Sequence, residues 1–254
     1  MSRPFLLAQL TDSHIGADWG GPVGPELALA AAVDALRTPR HRPDAVVVTG
    51  DLAGDGTAEQ YAVVREQLQR LEIPFVVLPG NHDDRATMRA AFDLPGGAED
   101  PIHVAVDLGP LRLVALDTTI PGKVDGALPE SELQWLEQSL QDAPERPTII
   151  AMHHPPVLTG LSAWDATAIG PVERTVLSRV LSRHRQVLAL IAGHLHRALV
   201  STFAGRPTVV MPSTYLQGSL DWSSADFGFV AEPPAFGLHA LLDGELVSHV
   251  QPVG

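Results

Sequence analysis

The 254-residue chain contains no cysteine. Disulfides and thiolate metal sites are therefore excluded, and any transition metal must be held by oxygen and imidazole nitrogen. Long hydrophobic runs are missing too. Gly, Pro or a charged residue interrupts every apolar stretch well short of the ~20 residues a membrane helix needs, and the start of the chain shows no signal-peptide core or cleavage site. Basic residues are scarce, 17 Lys and Arg against 30 Asp and Glu. A net charge of −13 argues against a groove that binds a nucleic-acid polymer by neutralising its phosphates. Together these absences predict a soluble cytoplasmic protein with no membrane partner, acting on something small.

What is present suffices for a sizeable core: 45% of residues are hydrophobic, and residues 1–254 read as a single domain. Short β-branched runs predict strands over Phe5–Leu10, Ala45–Thr49, Phe75–Leu78, Ile102–Asp107, Leu111–Leu116, Thr148–Met152, Val187–Ala192, Leu199–Phe203, Thr208–Met211, Gly237–Leu242 and Leu246–Val250. Apolar residues at helical spacing predict helices over Pro25–Arg37, Ala58–Leu71, Asp84–Phe92, Pro129–Gln141 and Pro171–Arg183. The alternation is that of βα units up to Gly193. Beyond it the pattern turns to strands, with Asp243-Gly244 as a hairpin turn, and an antiparallel C-terminal third is expected. The fold class is α/β, a two-sheet sandwich flanked by helices.

The chemistry-bearing residues gather at one kind of place. Of 11 histidines, His14, His82, His153, His154, His194 and His196 fall just past the C-terminal end of a predicted strand, as do Asp12, Asp51, Asn81 and Asp83. In open α/β sheets that edge binds ligands. Each fragment alone reads as ordinary turn chemistry: Asp12 as a cap, Gly50-Asp51 as a tight turn, Asp83 as a helix N-cap, His153-His154 as a polar strand end. Five such fragments, each following an apolar strand, are much harder to attribute to independent turns.

The fragments Asp12-Ser13-His14, Gly50-Asp51, Gly80-Asn81-His82-Asp83, His153-His154-Pro155 and Gly193-His194-Leu195-His196 resemble the signature of the calcineurin-like metallophosphoesterase superfamily. That resemblance implies a four-layer αββα fold and two metal ions, divalent or of mixed valence: manganese, iron or zinc. It also implies that Asp12, His14 and His196 hold one ion, that Asn81, His153 and His194 hold the other, and that Asp51 bridges them. His153 is preferred to His154 because the family ligand stands two residues before Pro155.

Two metals sharing a hydroxide would supply the nucleophile, because coordination lowers the pKa of water from 15.7 towards ~7. His82, next to Asn81, is expected to contact the phosphate as the catalytic residue. Asp83 would orient His82 or cap the following helix, and His154 would orient a ligand or the phosphate from behind. Within the superfamily the chain is most similar in character to the class III cyclic-nucleotide phosphodiesterases, with glycerophosphodiesterases as the alternative. A small phosphodiester such as cyclic AMP is the implied substrate, and a homodimer is within the family's habit. A nucleotide base needs a stacking surface. Aromatics are only 5% of the chain, but Trp164, Tyr215, Trp222, Phe227 and Phe229 lie in or near two long connections, Val157–Ile169 and Tyr215–Pro234.

Overall fold

A computed structural model describes residues 3–253. Strands β1 (Phe5–Leu10), β2 (Ala45–Thr49) and β3 (Phe75–Leu78) alternate with helices α1 (Pro25–Arg37), α2 (Ala58–Gln69) and α3 (Arg85–Phe92). An antiparallel pair, β4 (Val104–Leu108) and β5 (Leu111–Leu116), leads into α4 (Glu130–Gln141), β6 (Thr148–Met152), the short α5 (Ser162–Ala166), α6 (Pro171–Ser182) and β7 (Val187–Ala192). The rest is β8 (Leu199–Phe203), β9 (Arg206–Val210), β10 (Gln217–Gly218), β11 (Phe229–Val230), β12 (Ala235–Leu242) and β13 (Glu245–Pro252).

The strands form a sheet of order β13-β12-β1-β2-β3, a second of order β4-β5-β6-β7-β9-β8, and the small β10-β11 pair. Side chains alternate across each strand, so one run feeds two cores. In β1, Leu7 packs with Val47, Leu113, Ile149 and Ile191 between the sheets, whereas Ala8 and Leu10 face Leu29, Val33 and Leu68 of α1 and α2. On the far side, Val114, Ile150 and Leu190 pack against Leu133, Leu136 and Leu177 of α4 and α6. Three stacked cores make four layers, αββα. Gln9 faces the inter-sheet layer, where its amide donates to Thr49 Oγ1 and the Ala192 carbonyl and its oxygen meets His239 Nε2.

Most strand limits coincide with the hydrophobic runs, and the departures have local causes. β4 starts at Val104 because the Ile102 N–H is taken by the Asp117 carboxylate and the His103 ring by the Asp117 N–H. α3 starts one residue late because Asp84 is its N-cap, with Oδ1 accepting the Thr87 N–H. The C-terminal third is not wholly antiparallel: β9 lies parallel to β7, extending the βα sheet by one strand before β8 turns back. Asp243 and Gly244 both have positive φ, the conformation of a tight hairpin turn. Among the described residues no helix is long and apolar enough to cross a membrane.

Candidate metal centre

The parallel strands deliver their C-terminal ends to one rim. β1 is followed by Asp12 and His14, β2 by Asp51, β3 by Asn81 and His82, β6 by His153 and His154, and β7 by His194 and His196. The backbone is bent sharply as it leaves these strands. Asp12, His14, Asp51, His194 and His196 all have positive φ, between 44° and 70°, a conformation that costs a non-glycine residue roughly 1–3 kcal/mol. Glycines permit the close packing behind them: a Cβ on Gly80 would collide with the Asp51 carboxylate and the His153 ring. The turns are pinned from the C-terminal side, where the Ser213 hydroxyl donates to the Asp12 carbonyl and the Thr214 N–H to the Thr11 carbonyl.

Two clusters result. Donor atoms of Asp12, His14, Asp51 and His196 lie within 4.8 Å of one another, and so do those of His153, His154 and His194. Asp51 joins them: its Oδ2 is 3.5 Å from His14 Nε2 and 3.4 Å from His153 Nε2. Neighbouring groups fix the rings. His153 Nδ1 bonds the Thr49 carbonyl and His196 Nδ1 the Leu216 carbonyl, which leaves an Nε2 lone pair on each ring pointing inward. Asn81 Oδ1 stands 3.1 Å from both His153 Nε2 and His194 Nδ1. His14 Nε2 meets His196 Nε2 at 2.9 Å, and His14 Nδ1 is buried with no partner among the described residues. Lone pairs that converge in a buried space with few protons between them are what a cation satisfies, and the donor set of oxygen and imidazole suits manganese, iron or zinc. The residues fit a binuclear metal centre.

Without cations the cage holds protons instead. Burial and the nearby Asp51 carboxylate push Asp12 up to about 7, although His153 opposes this. Burial works against ionised Asp51 as well, but the His153 and His14 rings beside it hold its carboxyl well below the usual range. In turn Asp51 raises His153 to about 9 against the pull of burial. Burial lowers His196 to about 4 and takes His14 and His194 well below the ordinary value.

His154 is within reach of this cluster, but its nitrogens are already engaged. Nδ1 pairs with the Thr118 hydroxyl at 2.8 Å and Nε2 with the Val124 carbonyl at 3.0 Å, so the ring stands behind His153 and His194. Asp83 neither orients His82 nor caps α3. Its carboxylate accepts the N–H groups of Leu52, Ala53 and Gly80 and the Tyr61 hydroxyl, which ties the Asp51 turn to the Asn81 turn. His82 is oriented by its own Nδ1 on the Gly54 carbonyl, and its N–H donates to Asp51 Oδ1.

Above the centre is a cavity of about 310 Å³, floored by His14, Asp51, Asn81, His82, His194 and His196. Its sides are Trp19, Trp164, Phe227 and Phe229, closed by Val124. Trp19 stacks on Phe229, with centroids 5.2 Å apart and planes at 27°, and packs against the His14 ring at 4.4 Å. Trp164 meets Phe227 edge-on at 4.8 Å. Of the aromatics singled out in the sequence, Tyr215 is buried behind Trp19 and Trp222 is exposed over a separate apolar hollow. Trp19 was not among them: it lies in the connection after β1, where no periodic pattern marks it.

Four helix-and-sheet layers with a two-cluster rim of Asp, Asn and His define a metallophosphoesterase. The profile of the calcineurin-like phosphoesterase family matches residues 5–198, and the chain belongs to that family. A probable glycerophosphodiester phosphodiesterase of Arcobacter nitrofigilis is 33% identical, over 98% of this chain and 94% of its own. The 3′,5′-cyclic adenosine monophosphate phosphodiesterase of Escherichia coli K12 is 32% identical, over 96% and 88%. A cAMP/cGMP dual specificity phosphodiesterase of Mycobacterium tuberculosis is 34% identical, over 84% and 68%. In fold the chain is similar to a dimetal phosphatase from Danio rerio, with a TM-score of 0.69, 18% identity and full coverage of both chains.

Proposed function

We propose that this metallophosphoesterase is a phosphodiesterase that hydrolyses a 3′,5′-cyclic nucleotide. The observation that carries the reading is the cavity itself: a floor of metal donors under walls of Trp19, Trp164, Phe227 and Phe229. A phosphodiester needs the floor, and a planar base attached to it needs the walls.

Asp12, His14 and His196 would hold one ion, Asn81, His153 and His194 the other, and Asp51 would serve both. Bound ions of this kind polarise phosphoryl oxygens and make water acidic near neutral pH. The protein does the rest. Thr49 and Leu216 hold the His153 and His196 rings in the required tautomers. Asp83 keeps the two ligand turns in register. His82, with Nδ1 on Gly54, turns Nε2 to the substrate, and in its imidazolium form it would donate a proton to the ester oxygen as the phosphorus–oxygen bond breaks. The walls exclude water and stack the base. A small diester in the cytoplasm suits a chain of net charge −13 better than a nucleic-acid polymer does; a homodimer is the expected state, read by light scattering.

A glycerophosphodiester is the second reading, favoured by the 33% identity to the Arcobacter protein. An aromatic cage also receives quaternary ammonium groups, such as a choline headgroup. Steady-state kcat/KM of the manganese-loaded protein on cyclic AMP, cyclic GMP, glycerophosphocholine and glycerophosphoethanolamine decides between them. The cyclic nucleotides should lead, and turnover confined to the glycerol esters would overturn the first reading.

A further inference from the structure

Thr167 takes no part in the chemistry above, yet its hydroxyl lies 2.9 Å from His194 Nε2. Thr167 sits just past the end of α5 and is buried at 7% exposure. The same Oγ1 is 3.0 Å from the carbonyl of Trp164, which only accepts hydrogen bonds. The hydroxyl can thus give its proton to the Trp164 carbonyl while its oxygen accepts from His194. A His194 that ligates through the nitrogen facing the cage carries its proton on Nε2 and its lone pair on Nδ1. That nitrogen is the one facing Asn81 Oδ1 at 3.1 Å, inside the cage.

The junction reaches further. The Thr167 carbonyl accepts the Gly126 N–H at 3.0 Å, on the turn whose Val124 carbonyl bonds His154. Two parts of the cavity lining, Trp164 on α5 and Val124 on the turn, are thus tied through one residue to one imidazole.

We infer that Thr167 is the positioning residue of the His194 metal ligand, fixing its tautomer and ring orientation and coupling the substrate walls to one of the two ions. The inference rests on His194 being a ligand. Groups that orient a ligating histidine from behind typically contribute 10–100-fold to metal affinity.

The test is manganese binding to the metal-free protein, followed by titration and electron paramagnetic resonance, for wild type, Thr167→Val, Thr167→Ser and His194→Ala. Thr167→Val keeps the shape and removes the acceptor. It should weaken one of the two binding events about 10–100-fold and the other far less, so that the signal of single ions replaces that of coupled pairs. Thr167→Ser should restore wild-type binding. Melting of metal-free Thr167→Val should stay close to wild type, which a purely structural role would not allow.

Wild-type affinity in Thr167→Val, equal loss at both sites, or failure of Thr167→Ser to rescue would overturn the inference. If His194→Ala still binds both ions normally, the ligand assignment itself fails, and that outcome is distinct from the others. Nitrogen-15 correlation spectra of the zinc-loaded wild type give a second reading that needs no variant: His194 should appear as the Nε2–H tautomer, and an Nδ1–H tautomer would refute the role.

Discussion

The Nε2 atoms of His14 and His196 lie 2.9 Å apart in two rings that are almost sealed from solvent. His196 gives its Nδ1 proton to Leu216, so its Nε2 presents a lone pair to the His14 ring. An ion at this point stabilises the folded state by mass action, because the unfolded chain has no such cage. Chelation should lower the melting temperature by several degrees and added manganese should restore it. An unchanged melting curve, with metal loss verified by elemental analysis, would mean that the cage is not a metal centre.

Loading the centre must displace protons. With His153 raised to about 9 and Asp12 to about 7, the metal-free cage near pH 7 carries a proton on the first and a part share on the second. Both sites must be bare to bind a cation, so metal affinity should rise with pH through this range. Calorimetry at pH 7 in buffers of different ionisation enthalpy should report about one to two protons released. Heats independent of buffer would contradict it.

His82 borders the cavity, and among the described residues its side chain bonds only a backbone carbonyl. His82→Ala should therefore keep both ions and lose about 10²–10⁴-fold in kcat on an unactivated diester, with a smaller loss on one whose leaving group needs no proton. Equal losses on both esters would remove His82 from proton donation.

Trp19 is 37% exposed, with one face on Phe229. Stacking on an aromatic side chain is worth about 1–3 kcal/mol per base by alanine substitution. Trp19→Ala should raise KM for cyclic AMP by about 5–150-fold, on the same principle, while leaving metal content and turnover of methyl p-nitrophenyl phosphate near wild type. A uniform loss across both substrates would assign Trp19 to the scaffold.

His239 bears on stability. Fully buried between Gln9 and Ser248, its ring is lowered to about 4 by burial, with His249 adding to the effect. The unfolded chain binds a proton near pH 6.5 that the folded one refuses until about pH 4, so this stability is present above pH 6.5 and lost as pH falls. Between those limits the loss amounts to about 3 kcal/mol. Denaturant titrations at pH 7, 6 and 5 should show His239→Gln losing less stability than wild type. The cage histidines titrate in both proteins and cancel from the difference; parallel curves would clear His239.

Much of the fold was legible because its determinants are local. The β-branched runs of β1, β2 and β3 and the alternating faces they build need no tertiary information, and the ligand fragments stand directly after them. In sequence Asp83 reads as a cap as readily as Asp84 because two successive acids precede α3, and only the three-dimensional approach of Leu52 and Ala53 decides which one caps. Trp19 and Thr167 carried no pattern at all. Their roles exist only once connections from distant parts of the chain converge: Trp19 meets Phe229, and Thr167 meets His194. In sequence β9 reads as part of an antiparallel region because strand pairing, unlike strand formation, depends on partners far along the chain.

The pairing of β1 with β12 has a consequence for how the molecule comes into being. The strand that leads into Asp12 and His14 is central in its sheet, yet its neighbour β12 is synthesised long after it. Ser213, Thr214 and Leu216, which pin Asp12, Thr11 and His196, also follow every metal donor. A nascent chain emerging from the ribosome therefore displays its complete set of ligands before it owns the segments that lock them. Contacts of such long sequence separation form slowly. The centre therefore sets only once the segment from Ser213 to Leu216 has joined its donors.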